Sequence, residues 1–320
     1  YIGFFNSSST VTSSYTFASS AIGSGMSLDV NPIAHDGGSA VVPGLSAHGV
    51  AYYTVEVPAG QASWQIKLEN TSGEALVYVR KGSVPTTGMS AATYISPVTS
   101  LTRLQKTGDE HYILMPEYNQ NEVSSGTYYL MVVSEGQSPG ASNIGTGSSS
   151  AVLHSLGEAP VTDLGSLPLA AQISQADSYL AGENNLYQFS VPEGVLAMEV
   201  RLENRVGDPH MHLRHGTLFS QSYRVSWGYT GLYSGNTADD HDEALITVAN
   251  PATGTYSLQI ADLNTIANLA NGSYTLVIED TPPPILNFDA ALNSNGNSNT
   301  VGGILADNQR AFFHVDVPEM

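Results

Sequence analysis

Apolar and polar residues alternate along most of this chain. Tyr53-Thr54-Val55-Glu56-Val57 alternates strictly and stops at Pro58 and Gly60, as a strand does when it ends in a tight reversal. Trp64-Gln65-Ile66-Lys67-Leu68 puts Trp64, Ile66 and Leu68 on one face, and Met198-Glu199-Val200-Arg201-Leu202 keeps that pattern with other residues. A strand with one face in a core and the other in water needs this period of two. Residues 70–73 and 204–207 read as turns, followed by the strands Val77-Tyr78-Val79 and Met211-His212-Leu213; 128–133 and 256–260 supply later strands. No stretch sustains a 3.6-residue period with caps. Short strands with turn residues every eight to twelve positions predict an all-β chain of antiparallel β-sandwiches or barrels.

The pattern also repeats. Residues 53–82 align without a gap on 187–216 at an offset of 134, and ten of the thirty positions are identical, among them Tyr53/Tyr187, Val57/Val191, Pro58/Pro192, Leu68/Leu202 and Asn70/Asn204. Val317-Pro318 matches Val57-Pro58 and opens a third copy. Asp29, Asp163 and Asp289 each stand 28 residues before the Val of the Val-Pro pair, which divides the chain. Residues 1–28 read as the tail of an earlier copy, 29–162 and 163–288 as two complete domains, and 289–320 as the start of another. Each complete copy is long enough for a core of its own. Residues 136–150, rich in Gly and Ser, read as a flexible loop, and Thr281-Pro282-Pro283-Pro284 as a stiff spacer at a boundary.

Ten Lys and Arg against 29 Asp and Glu give a net charge of −19. Nucleic acid and anionic membrane both demand a basic face, so neither is an expected partner. An acidic surface is soluble and self-repelling, and either bound divalent cations or a salty medium offsets the repulsion. The chain has no Cys, which removes disulfides, thiolate metal sites and cysteine nucleophiles together. No apolar run reaches the ~18 residues of a membrane-spanning helix. Abundant Gly, Ser, Thr and Asn with few charges have an extracellular flavour.

Three segments resemble the bacterial pre-peptidase C-terminal domain family. They are the Tyr-x-x-x-Val-Pro-x-Gly strands at 53–60 and 187–194, the Gly-to-Arg-x-Gly segments at 73–82 and 207–216, and the Gly-Thr-Tyr strands at 126–128 and 254–256. The resemblance implies tandem jelly-roll-type β-sandwiches, secreted and non-catalytic, of which some family members bind calcium and others collagen or polysaccharide. The chain departs from the family at its aspartate pair, with Glu74 and Leu76 in one copy and Asp208 and His210 in the other.

Calcium takes six to eight oxygen ligands, and a carboxylate-rich loop at a strand edge supplies several. Asp239, Asp240, Asp242 and Glu243, before the strand 244–248, are the richest such cluster, and Asp109 and Glu110 are their counterparts in the first copy. The alternative for these is a solvated acidic loop guarding a sheet edge. The resemblance implies Asp208 as a further candidate ligand, at the place of one of the family's two aspartates. Asp29, Asp163 and Asp289, at the inferred junctions, either share a cation with the neighbouring domain or cap turns through backbone N–H groups. His210 and His212, with His215 nearby, share a strand face that suits zinc or an ordinary surface role. Trp227 with Tyr223 and Tyr229 could stack on a sugar ring or anchor a loop. No Gly-x-Ser-x-Gly elbow or zinc-protease motif occurs, and no enzymatic activity is expected. The expected function is an extracellular or cell-surface fibre, stalk or adhesin whose partners are neighbouring copies of the repeat, stiffened by calcium. The alternative is a pair of accessory modules that bind polysaccharide or collagen for a secreted enzyme.

Overall fold

A computed structural model describes residues 28–85, 102–104, 108–116, 122–137, 145–181, 183–216, 232–235, 244–262 and 271–284, with a few isolated positions beyond them. Every regular element among them is a β-strand. The first sandwich holds β1 (Val30–Ile33), β2 (Gly38–Ser46), β3 (Val50–Val57), β4 (Trp64–Ser72), β5 (Glu74–Lys81), β6 (Thr102–Leu104), β7 (Glu110–Leu114), β8 (Gly126–Gly136) and β9 (Ser148–Gly157). The second holds β10 (Val161–Ser166), β11 (Gln172–Tyr179), β12 (Asn184–Val191), β13 (Ala197–Val206), β14 (Pro209–His215), β15 (Leu232–Gly235), β16 (Ala244–Ala249), β17 (Gly254–Asp262) and β18 (Gly272–Asp280).

The two topologies coincide strand for strand. The sheet order β1-β3-β8-β5-β6 recurs as β10-β12-β17-β14-β15, and β2-β9-β4-β7 recurs as β11-β18-β13-β16. β1 to β5 alternate between the two sheets, so the sequential pairs β3/β4 and β4/β5 face each other across a core. Among the described strands, all ladders are antiparallel except β1/β3 and β10/β12.

Alternation sets the cores. Tyr53, Val55 and Val57 of β3 face Trp64, Ile66 and Leu68 of β4 in one cluster, and Tyr187, Phe189 and Val191 of β12 face Met198, Val200 and Leu202 of β13 in the other. Trp64 is fully buried; its Nε1–H donates to Ser155 Oγ at 2.8 Å and its ring meets the edge of Tyr128 at 5.1 Å. The indole therefore buries its area without leaving a donor unpaired.

Two boundaries differ from the sequence reading. Residues 70–73 are not a simple turn. β4 runs to Ser72 through a register shift after Asn70, and Gly73 alone, at φ 64°, carries the chain across to the opposite sheet. A Cβ there would lie 2.5 Å from the carbonyl oxygen of Gly136. β13 and Gly207 repeat the device after a shift beyond Glu203.

The junction between copies also moves, because β9 ends at Gly157 and β10 already starts at Val161. Val30 pairs with Tyr52 and Val161 with Leu186, so Val30 and Val161 are equivalent. The stretch from Val161 to Leu186 is three residues longer than that from Val30 to Tyr52. Equal spacing to the Val-Pro pair thus puts the two aspartates at unequal places. Asp29 precedes β1, whereas Asp163 is inside β10 opposite Gln188.

At the end of the expected spacer 281–284, His314 N–H donates to Pro284 O at 3.1 Å. Asp289, and the remaining residues of 1–28 and 289–320 apart from isolated positions, lie outside the described residues.

Candidate functional site

One face of each sandwich is apolar where a free sheet would be polar, and those faces meet. On edge strand β7, Tyr112 and Leu114 point into the first core. His111, Ile113 and, one step past the strand, Met115 point outward. On β12, Tyr187 and Phe189 point inward, and Leu186 points outward. Ile113, Met115 and Leu186 form one buried cluster with Ala159 of the linker, each of the four no more than 7% exposed. Burying apolar side chains here removes from water what the alternation rule leaves exposed, at about 25 cal/mol per Å².

Polar contacts frame this joint. His111 Nδ1 lies 3.1 Å from Glu183 Oε1, and the other oxygen of Glu183 accepts the Leu180 N–H at 3.0 Å. The hydrogen bond from His111 holds the Glu183 carboxyl below its ordinary range; partial burial opposes this, and the Leu180 N–H and the charges of His111 and Lys67 add to it. The linker is tied back to the first sandwich. Ala62 N–H donates to Glu158 Oε1 at 2.6 Å, and Ala159 N–H to the buried Ser63 Oγ at 2.8 Å. Apolar contact therefore holds the two copies, and the polar contacts fix the direction in which the linker leaves the first.

Asp163 and Asp109, two of the residues predicted to bind metal, have other partners. Asp163 Oδ1 accepts the Gly165 N–H at 2.9 Å, which is the turn-capping alternative. Asp109 Oδ1 accepts the Asn70 N–H at 2.9 Å, and its other oxygen is 3.6 Å from Lys67 Nζ. Glu74 accepts from Gly108 N–H at 3.0 Å and from Asn70 Nδ2 at 3.3 Å, so Asn70, Glu74, Gly108 and Asp109 tie the end of β4 to the start of β7. Glu110, next to Asp109, is turned the other way and is 2% exposed, so the two carboxylates do not converge. Asp29 is exposed. Among the described residues no group of three or more His, Asp or Glu side chains is placed to hold a metal ion.

Asp239, Asp240, Asp242, Glu243, Trp227, Tyr223, Tyr229 and Asp289 lie outside the described residues. Ladder register does relate one of them to the first copy. Leu68 pairs with Glu110 and Leu202 with Ala244, so Glu243 occupies the sequence place of Asp109, the residue that caps Asn70.

The outward faces of the long sheets differ sharply between copies. The first carries Leu76, Tyr78, Met131 and Val133, buried, with Tyr52 against them. The second has His210 and His212 where Leu76 and Tyr78 stand, and Gln259 in place of Met131. Asp208 Oδ1 lies 3.3 Å from His210 Nε2, and Gln259 Nε2 donates to Asn184 Oδ1 at 2.8 Å. His212 is partly buried, but its Nδ1 is sealed from solvent without a partner. Burial, and secondarily the neighbouring His210, push its pKa down to about 4, so His212 is neutral above that pH. His215 is not part of this pair: it packs edge-on against Tyr256 at 4.9 Å.

Sequence reasoning did not find the joint. Its signal was present as two departures from alternation, the both-sided run His111-Tyr112-Ile113-Leu114-Met115 and the pair Leu186-Tyr187.

No family model matches the chain, and no curated protein matches its sequence. Among solved structures it is similar to the periplasmic inhibitor of g-type lysozyme from Aeromonas hydrophila, 12% identical over 37% of this chain and 96% of that one, with a TM-score of 0.26. The corresponding inhibitor of Salmonella Typhimurium is 13% identical over 37% of this chain and 97% of that one, with a TM-score of 0.22. The CUB1-EGF-CUB2 domains of rat MASP-1 are 7% identical over 78% of this chain and 100% of that one, with a TM-score of 0.21. Likeness at this level bears on no functional argument. Among the described residues no helix is long and apolar enough to cross a membrane.

Proposed function

We propose that this chain is part of a secreted, non-catalytic array of tandem β-sandwiches that acts as a fibre, stalk or adhesin. The observation that carries this reading is the buried joint of Ile113, Met115, Ala159 and Leu186, flanked by the His111–Glu183 pair. Two modules on a passive tether would keep polar outer faces and a free linker. Here the linker is bonded at Ala159 and the facing strands give up alternation to meet. A fixed joint turns repetition into reach, because successive copies add length in a defined direction. Stiffness of this kind comes from contact, and calcium at Asp239, Asp240, Asp242 and Glu243 would add to it.

The second reading, accessory modules that bind polysaccharide or collagen beside a secreted enzyme, draws on the divergence of the outer sheet faces. His210, His212 and Gln259 replace apolar residues in one copy only, as a recognition surface would and a stacking surface would not.

The intact mass of the native polypeptide separates the two. A chain on the order of several hundred kilodaltons, yielding related repeat peptides throughout on digestion, supports the array. A chain of modest mass with one unrelated catalytic domain overturns it in favour of accessory modules.

A further inference from the structure

We propose that His210 and His212, on the outward face of β14, hold a divalent transition-metal ion of the zinc class between their imidazoles, with Asp208 orienting His210. The site belongs to the second sandwich alone, and it stands whether the chain is a fibre or a pair of accessory modules.

The strand period brings the two rings together. Met211 and Leu213 point into the second core, so His210 and His212 share the opposite face, and Asp208 stands two residues before them. Neighbouring side chains on one strand face start about 7 Å apart. Two imidazoles close that gap on one ion, with Zn–N bonds of about 2.0–2.1 Å. His210 is near enough to act electrostatically on the His212 ring.

Each ring has a nitrogen to offer. Asp208 Oδ1 lies 3.3 Å from His210 Nε2. A carboxylate so placed takes the proton-bearing nitrogen, fixes the ring and leaves the Nδ1 lone pair for a metal. His212 Nδ1 is sealed from solvent and has no hydrogen-bond partner. A buried polar atom left unpaired is costly, and ligating an ion satisfies it.

The surroundings are polar where the equivalent face of the first sandwich is apolar. His210, His212 and Gln259 stand where Leu76, Tyr78 and Met131 pack as a buried cluster. Gln259, across the ladder from His212, is buried and donates to Asn184 Oδ1. Burying polar groups costs stability unless each finds a partner, so core packing alone gives no reason for three such exchanges in one copy. A bound ligand does. Imidazole donors select zinc, copper or nickel over calcium. No third His, Asp or Glu among the described residues completes a ligand group with the pair, so the protein supplies two ligands and water fills the other positions.

Zinc chloride titrated into the whole chain, followed by isothermal titration calorimetry, tests this. The chain should take up a single zinc ion, undisturbed by excess calcium chloride. His210→Leu with His212→Tyr, the residues present at Leu76 and Tyr78, should abolish that uptake. Asp208→Asn should weaken it by about 10–100-fold without changing the stoichiometry. Zinc uptake that survives the double substitution, or that calcium displaces, belongs to surface carboxylates and overturns the proposal. Absence of uptake in the parent chain overturns it too. Should the double variant fail to fold, nuclear magnetic resonance of the parent chain decides. The ring signals of His210 and His212 must move as zinc is added, and unmoved rings overturn the proposal.

Discussion

Leu186→Ala tests the joint with least collateral damage, because Leu186 points away from the second core. The side chain is 3% exposed, held among Ile113, Met115 and Ala159. Removing its three outer carbons takes away their transfer energy and leaves a void between two rigid sheets. Core Leu→Ala changes cost 2–5 kcal/mol by the usual range, and the low end, about 2 kcal/mol, applies where water can reach the gap from the side. For a sandwich of this size that corresponds to a fall of roughly 6–10 °C in Tm. Differential scanning calorimetry is the assay, with Gln188→Ala as control: Gln188 is on the same outward face two residues on, and its loss should stay within about 0.5 kcal/mol. The decisive feature is which transition moves. Contact across the joint stabilises both sandwiches, so the first should lose stability with the second. A melting profile unchanged by Leu186→Ala, or a shift confined to the second sandwich, would refute the reasoning.

Other outcomes follow from the same geometry. His212→Tyr, which installs the residue found at Tyr78, should flatten the acid sensitivity of the second sandwich. A histidine whose folded pKa is lowered to about 4 stabilises fully above its unfolded value of 6.5 and progressively less as pH falls towards 4, by at most about 3 kcal/mol, so urea unfolding at both pH values detects the difference. Glu183, lowered mainly by His111, has the same sign: its contribution is present above the ordinary carboxylate range and vanishes as acid protonates it. Because Glu183 is 35% exposed, His111→Ala should cost less than about 1 kcal/mol by chemical denaturation at neutral pH. Trp64→Phe should cost the first sandwich about 2 kcal/mol through lost ring area and the lost bond to Ser155, measured by urea unfolding followed by circular dichroism.

Much of the fold was written in local pattern. Alternation at Trp64, Ile66 and Leu68 found a core strand because one face of it meets only apolar partners, and the copy at Met198, Val200 and Leu202 confirmed the period. The repeat length gave two equivalent sandwiches. Less legible were features set by pairing between distant strands. β1 and β10 are short, parallel and largely exposed, so nothing in their own residues distinguishes them from loop, and the equal spacing of Asp29 and Asp163 concealed a three-residue difference between the copies. Candidate metal ligands chosen by charge alone met the same difficulty. Asp109 and Glu110 are adjacent in sequence, yet strand geometry turns one to Asn70 and Lys67 and the other into the sandwich. The joint needed a reading of outward positions, which alternation treats as solvent-facing by default.

The central claim is that the two sandwiches hold one fixed relation. Pulsed electron resonance between nitroxide labels at Glu56→Cys in the first sandwich and Glu193→Cys in the second, both exposed sites in a chain without native Cys, measures it directly. A single narrow distance distribution, broadened when Leu186→Asp is added, is the predicted result. A broad distribution in the parent chain, unaffected by Leu186→Asp, would mean two modules swinging on a linker and would contradict the account.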